Sequence, residues 1–339
     1  MDYYSSIYGL GVRLNERIPG VATESARSVD VEVVFGSMPS WFNSDGLSRT
    51  LWYAAPDETS GEPRLTIWQV AGGDNFNLKY ADGTEFLVNR AGSKIWAIWP
   101  PAELTLEDTA TYLLGPIMGF VLLLRGHVCL HASAVVIADQ AVALLGPAGA
   151  GKSTTAAAFA ETGYQVLAED VLTLDENEDR YYVRPAYPCI RLWPASVKAL
   201  YGSETELPRL TPTWDKCYLD LTQEGYGFRN EVTPLGAIYL LGERSEGPEF
   251  PSIEDMSEQE TMMSLIANTY ATYLLDKAMR AREFTFLSQL IKKIPIRKVT
   301  PNADAAHIPA LCRLIIDDFE NLYSNKNARV EPAGHLLNV

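Results

Sequence analysis

The run Gly146, Pro147, Ala148, Gly149, Ala150, Gly151, Lys152, Ser153 constrains this chain more than any other stretch. It fits the pattern G-x-x-x-x-G-K-[ST] without a gap, and its flanks are those the pattern needs. Ala141 to Leu145 is an apolar run that reads as a buried strand, and Thr154 to Glu161 is an alanine-rich helix ended by Gly163. A strand, a glycine loop and a helix start together aim successive backbone N–H groups at a phosphate chain, at the positive end of the helix. In that arrangement Gly146 through Thr154 cradle the phosphates. Lys152 reaches the β- and γ-phosphates from a side chain expected to be exposed in the empty loop, and the Ser153 hydroxyl ligates Mg²⁺. The expected ligand is therefore a nucleotide, ATP with Mg²⁺. Thr154 and Thr155 finish the loop and cap the helix.

Bulk properties narrow the rest. A chain of 339 residues, 47% hydrophobic, can bury a large core and form two domains. Twenty-eight basic against forty-three acidic residues give a net charge of −15, which argues against a nucleic-acid groove as the main business. Cys129, Cys189, Cys217 and Cys312 are scattered, with no C-x-x-C pair, and read as buried free thiols of a reducing compartment. The start, Met1-Asp-Tyr-Tyr-Ser-Ser, has neither a basic leader nor an apolar core. The greasiest run, Leu113 to Leu124, is too short to span a bilayer and reads as a buried helix. The expected location is cytoplasmic, with no membrane partner, and a homo-oligomer is compatible with the chain.

The class is α/β, in three parts: a β-rich N-terminal domain over 1–104, a P-loop domain over 105–325, and a flexible tail over 326–339. In the first part, Val31–Phe35, Leu65–Val70, Phe76–Tyr80, Glu85–Asn89 and Lys94–Trp99 read as strands of an antiparallel meander, with Ala81-Asp82-Gly83-Thr84 a hairpin turn. Trp52, Trp68, Trp96 and Trp99 read as core or interface. A helix from Leu106 to Leu124 starts at Thr105, with Glu107 and Asp108 at its positive end. His131 to Ile137 is a strand, and Asp139-Gln140 a two-residue turn, so an antiparallel hairpin leads into the P-loop. Strands at Gln165–Ala168, Val171–Leu174, Tyr181–Val183, Val232–Leu241 and Ile294–Val299 follow, with Arg184–Pro194 extended. Helices are expected over 257–275, 278–293 and 306–323.

One strand after the P-loop helix stands an acidic pair, Glu169-Asp170. With His131 on the entering strand, the P-loop, and Ala168-Glu169-Asp170 in this order and spacing, the chain resembles HPr kinase/phosphorylase. That family comprises bacterial protein-serine kinases on a P-loop fold related to PEP carboxykinase. The likeness is good over 129–174 and weak elsewhere. Glu169 stands where the family has Asp, and its Glu-Ile-Arg-Gly and Val-Arg-Pro-Gly signatures are replaced by Pro188–Pro194 and Ile294–Lys298. Phosphorylase activity and HPr as acceptor are therefore not implied. The pattern is similar to the HPr-kinase-like proteins of lasso-peptide and related ribosomal-peptide pathways, some of which phosphorylate the C-terminal serine of a precursor.

The resemblance implies in-line phosphoryl transfer from ATP to a hydroxyl of a peptide or protein. Lys152 and Mg²⁺ on Ser153 offset the phosphate charge, Glu169 is the base, and Asp170 is a direct or water-mediated metal ligand. His131 orients the acidic pair or is a hydrogen-bonded core residue. Arg191 and Lys216 clamp phosphate or the peptide carboxylate, or are solvated surface charges. The peptide is expected on exposed strand edges of the N-terminal domain or of Arg184–Pro194. Two alternatives stay open: a small-molecule kinase using the same nucleotide site, and a nucleotide-sensing regulator without turnover.

Overall fold

The first hundred residues alternate apolar and polar side chains between tight turns, and the computed structural model, which describes residues 1–25, 28–43, 46–56 and 61–328, folds them into one eight-stranded sheet. Its strands are β1 (Tyr3–Ile7), β2 (Leu10–Leu14), β3 (Val31–Phe35), β4 (Arg49–Ala55), β5 (Leu65–Val70), β6 (Asn75–Tyr80), β7 (Glu85–Asn89) and β8 (Lys94–Ile98), in the order β1-β2-β3-β8-β7-β6-β5-β4. The expected meander holds from β4 to β8, but β3 lies parallel to both β2 and β8. Edge strand β4 leaves Leu51 59% exposed. Trp52 and Trp99 set their edges against Phe76 and Phe35, and Trp68 and Trp96 pack on Phe42, Val70 and Leu87, as core residues should.

Thr105 opens the next segment with a capping box, its hydroxyl and the Asp108 carboxylate each serving the other's backbone N–H. The helix runs as α1 (Leu106–Tyr112), a π-turn at Leu113–Ile117 and α2 (Met118–Leu124). Pro116, which has no N–H to give, sits in the π-turn. Counted whole, Leu106–Leu124, the span the sequence predicts, is long and apolar enough by length and composition to cross a membrane, although its apolar run Leu113–Leu124 alone is not; 78% of its most apolar window is buried inside the protein.

The second sheet is built from β9 (Val128–Ile137), β10 (Gln140–Leu145), β11 (Val166–Ala168), β12 (Val171–Asn177), β13 (Arg180–Val183), β16 (Thr233–Leu241), β17 (Ser252–Asp255) and β18 (Ile296–Thr300); β14 (Cys189–Leu192) and β15 (Cys217–Asp220) form a separate ribbon. The β9–β10 hairpin is antiparallel as expected, but its turn is Ala138-Asp139, one residue earlier, with both residues at positive φ. β10 also pairs in parallel with β16, so the path β10-β9-β12-β13-β16 closes on itself. The helices are α3 (Lys152–Glu161), α4 (Pro194–Tyr201), α5 (Glu258–Ala267), α6 (Lys277–Leu290) and α7 (Ile308–Ala328). The helix expected over 257–275 stops at Ala267. Residues 326–328 belong to α7, and the rest of the expected tail lies outside the described residues.

Between the sheets there is one continuous apolar core, although the chain breaks between them at residues 99–105. Phe76 of β6 meets Phe120 of α2 edge-on at 4.9 Å, and Tyr80 stacks on Tyr112 at 3.9 Å. Tyr8, in the β1–β2 turn and fully buried, donates its hydroxyl to the Leu114 carbonyl in the π-turn, 2.8 Å away. All four cysteines are buried and free.

Candidate active site

The P-loop leaves the end of β10 where β16 lies alongside. Gly146 has φ +150°, and a Cβ there would stand 2.6 Å from the Leu241 carbonyl, so only glycine lets the chain pass. Gly151 takes φ +103° as the N-cap of α3, and no side chain caps that helix. The expected cap from Thr154 is not formed: its hydroxyl donates to Ser196 Oγ at 2.8 Å and ties α3 to α4. Lys152 is not exposed as expected. It is 6% accessible and folds over its own loop, donating to the carbonyls of Gly146 (2.7 Å) and Pro147 (3.0 Å). Burial lowers its pKa, opposed by the charges of Asp170 and Glu169. An uncapped helix start, a loop opened by glycines and an ammonium bonded only to carbonyls fit a polyphosphate well.

Glu169 and Asp170 follow β11 and face the P-loop. Ser153 Oγ donates to Glu169 Oε1 at 2.8 Å. Arg191, on β14, bridges the pair: Nε to Glu169 Oε2 at 3.3 Å and Nη2 to Asp170 Oδ2 at 2.7 Å. Arg191 is only 8% accessible, which overturns its reading as a solvated surface charge. His131, opposite Val171 in the β9–β12 register, places Nε2 3.8 Å from Asp170 Oδ1. Asp170 holds φ +69°, a left-handed conformation that Asp tolerates better than most residues. The side chains differ in reach: Glu169 is 5% exposed, Asp170 22% and His131 41%.

Electrostatics separates the two carboxylates. Burial raises the pKa of Glu169, against the pull of Arg191. For Asp170 the same burial is outweighed by Arg191, His131 and Lys216, and its pKa falls below the usual value. Burial lowers the pKa of His131, against the pull of Asp170, so the ring is neutral at pH 7. Lys216 sits over the Trp193 ring at 5.0 Å, and its charge is felt by Lys152, His131, Glu169 and Asp170. Three cations, Lys152, Arg191 and Lys216, thus surround two carboxylates in a protein of net charge −15. The centre is a local cationic site that favours a polyanion.

Sequence reasoning missed the wall behind the pair. Tyr187 and Tyr8 are buried beside Arg191, edge to face at 6.0 Å, and Tyr270 lies 6.1 Å from the His131 ring. The Arg184–Pro194 segment offers no exposed edge for a peptide: Ala186, Tyr187 and all of β14 are buried, and β14 is paired with β15.

No family model matches this chain, and no curated protein matches it. Among solved structures it is similar to the HPr(Ser) kinase/phosphatase from Coxiella burnetii, with 14% sequence identity and a TM-score of 0.33 over 59% of this chain and 96% of that one.

Proposed function

We propose that this protein is an ATP-dependent kinase that transfers the γ-phosphoryl group to a hydroxyl of a peptide or protein. The observation that carries the reading is the junction of the uncapped P-loop with a buried acidic pair, through Ser153–Glu169 and Arg191. A site that only bound nucleotide would have no use for a second carboxylate, Asp170, set beside His131 as well as Arg191.

The geometry favours roles for the acidic pair opposite to those expected from sequence. Glu169 is enclosed, with its oxygens on Ser153 and Arg191, so it belongs to the phosphate and metal side. Asp170 is more accessible, stays ionised, and faces the half-buried His131 ring, where an acceptor hydroxyl can approach. Asp170 therefore takes the acceptor proton, and His131 steadies that carboxylate. Arg191 holds both carboxylates in place, and Lys152 turns from its loop carbonyls to the phosphates. Among the described residues no cluster of three His, Cys, Asp or Glu side chains is arranged to hold a metal. A Mg²⁺ at Ser153 and Glu169 would take its remaining ligands from phosphate and water and neutralise the phosphate charge.

The test is to incubate the protein with Mg-ATP and either a panel of serine-containing peptides or a panel of hydroxylated metabolites, following ADP release and phosphoryl incorporation. The lasso-precursor C-terminal serine is one candidate acceptor. Phosphopeptide formation supports the reading; transfer only to metabolites replaces the acceptor class, and ATP binding without transfer to anything overturns it.

A further inference from the structure

The phosphate loop ends beside a second feature that the proposed reaction has not used. A cleft of about 130 Å³, open to solvent, lies where the P-loop, α3 and α4 meet the 301–311 segment. At its loop end stand Gly151 and Arg244; a Cβ on Gly151 would lie 3.2 Å from Arg244 Nη2, so the guanidinium stands over the loop. Arg244 is exposed and has no ion-pair or hydrogen-bond partner among the described residues. Away from that end the walls are uncharged and mixed: the small apolar Ala195, Ala199, Pro301, Ala303 and Ile308 alternate with Ser196, Asn302 and His307. The cleft therefore changes from cationic to uncharged along its length. A nucleotide has the complementary form, an anionic tail joined to a flat, weakly polar ring.

We infer that this cleft is the nucleoside subsite, with Arg244 a further phosphate-binding cation, and that it holds the base by shape rather than by reading its edges. The inference rests on the nucleotide-binding part of the proposed function. Its second half follows from where the polar side chains are spent. Ser196 accepts from Thr154. The Asn302 amide donates to the Gly247 and Phe250 carbonyls, and its oxygen accepts from the Asp304 N–H. His307 supplies the single aromatic ring of the lining. With the Asn302 amide engaged, the wall keeps the Thr155 and Ser196 hydroxyls and the His307 ring, groups that can each donate or accept and so do not separate adenine from guanine. Discrimination of bases requires dedicated partners that the wrong base would leave unpaired.

The experiment titrates the full-length protein with Mg-ATP, Mg-GTP and inorganic triphosphate by calorimetry, in the wild type, Ala199→Phe, Ala303→Phe and Arg244→Ala. Ala199 and Ala303 are exposed, so a ring there fills the cleft without entering the core, and melting curves check the fold. The expected result is that ATP and GTP bind the wild type within about tenfold of each other, and both weaken by at least about tenfold in each Phe variant. Triphosphate affinity should stay within about twofold in those variants and fall in Arg244→Ala, together with ATP and GTP. ATP affinity unchanged in both Phe variants, or a wild type that binds ATP no tighter than triphosphate, would place the nucleoside elsewhere. A preference for one base above about a hundredfold would overturn recognition by shape. Failure of the wild type to bind even triphosphate would instead remove the nucleotide reading on which the inference stands.

Discussion

The two sheets bury their strands differently, and the chemistry follows that difference. In the N-terminal sheet β2 and β3 alternate buried and half-buried residues, one face inward. In the second sheet β9 and β10 are buried almost throughout; His131 and Ser133 are the polar side chains inside β9, while the acidic pair stands beyond the end of β11 and Lys152 beyond the end of β10. Charges concentrated at those ends sit in a low dielectric, where they shift each other's pKa and act strongly on a ligand. Among the described residues of the N-terminal sheet the charges that meet, Arg13 and Lys94 on Glu32, are half-exposed instead. That sheet reaches the site through packing, by way of Tyr8 on the π-turn and against Tyr187. On the proposed function, one sheet carries the reaction and the other holds its back wall.

Substitutions can break or sharpen that division. The largest effect is expected from Lys152→Ala, which should lower the transfer rate by about two to three orders of magnitude, the range for loss of one preorganised charge-stabilising group. A melting temperature close to wild type should accompany it, since the ammonium's only partners are loop carbonyls. A wild-type rate in that variant would remove the second sheet from the chemistry. Next is Arg191→Ala, which leaves Glu169 buried and unpaired. Urea denaturation should show a loss of about 3–5 kcal/mol, the range for stripping one partner from a buried ion pair. A loss below about 1 kcal/mol would return Arg191 to the status of a surface charge.

Tyr8→Phe tests the other sheet. It leaves the buried Leu114 carbonyl without its donor, so about 1–2 kcal/mol of stability should go while the specific rate of the folded protein is kept. A rate loss exceeding the stability loss would show that the N-terminal sheet enters the chemistry. The smallest effect lies in the pH dependence of stability. The folded pKa of Asp170 is depressed, so its stabilisation is complete above the usual carboxylate value of 3.8 and is lost as pH falls through the folded value. Glu169, with a raised folded pKa, acts in the opposite sense above its usual 4.5: stability contributed while it is protonated is lost as pH rises through the folded value. Urea midpoints against pH for wild type and Asp170→Asn should differ by the loss of the acid-side slope in the variant.

Local signals made much of this legible from sequence. The P-loop, the hairpin before it, the acidic pair and the Thr105 cap are each decided by residues within a few positions of one another. What escaped depends on distance or on loop shape. Arg191 meets partners 21 and 22 residues away. The available clue was a lone arginine inside the apolar run Cys189-Ile190-Arg191-Leu192, a place where an unpaired charge is costly. Lys152 is buried because its loop curls beneath it, which composition does not encode. Strands β1 and β2 were missed although Leu10, Val12 and Leu14 alternate cleanly, because the Tyr8-Gly9 turn lacks an Asn or Asp. Strand β4 was missed because it is an edge, exposed at one end. The apolar core runs across the boundary that the two-domain reading draws between 104 and 105.

The central claim is that the paired carboxylates divide the work, with Glu169 on the phosphate and metal side and Asp170 on the acceptor side. Titrating Mg²⁺ against transfer rate in Glu169→Gln and Asp170→Asn tests it most directly. Asp170→Asn should bind Mg-ATP as the wild type does and lose about two to four orders of magnitude in rate at every Mg²⁺ concentration. Glu169→Gln should need more Mg²⁺ to reach its half-maximal rate, with activity partly restored by excess metal. Equal and mild losses in both variants would contradict the account, leaving a nucleotide-binding fold whose acidic pair serves only to neutralise Arg191.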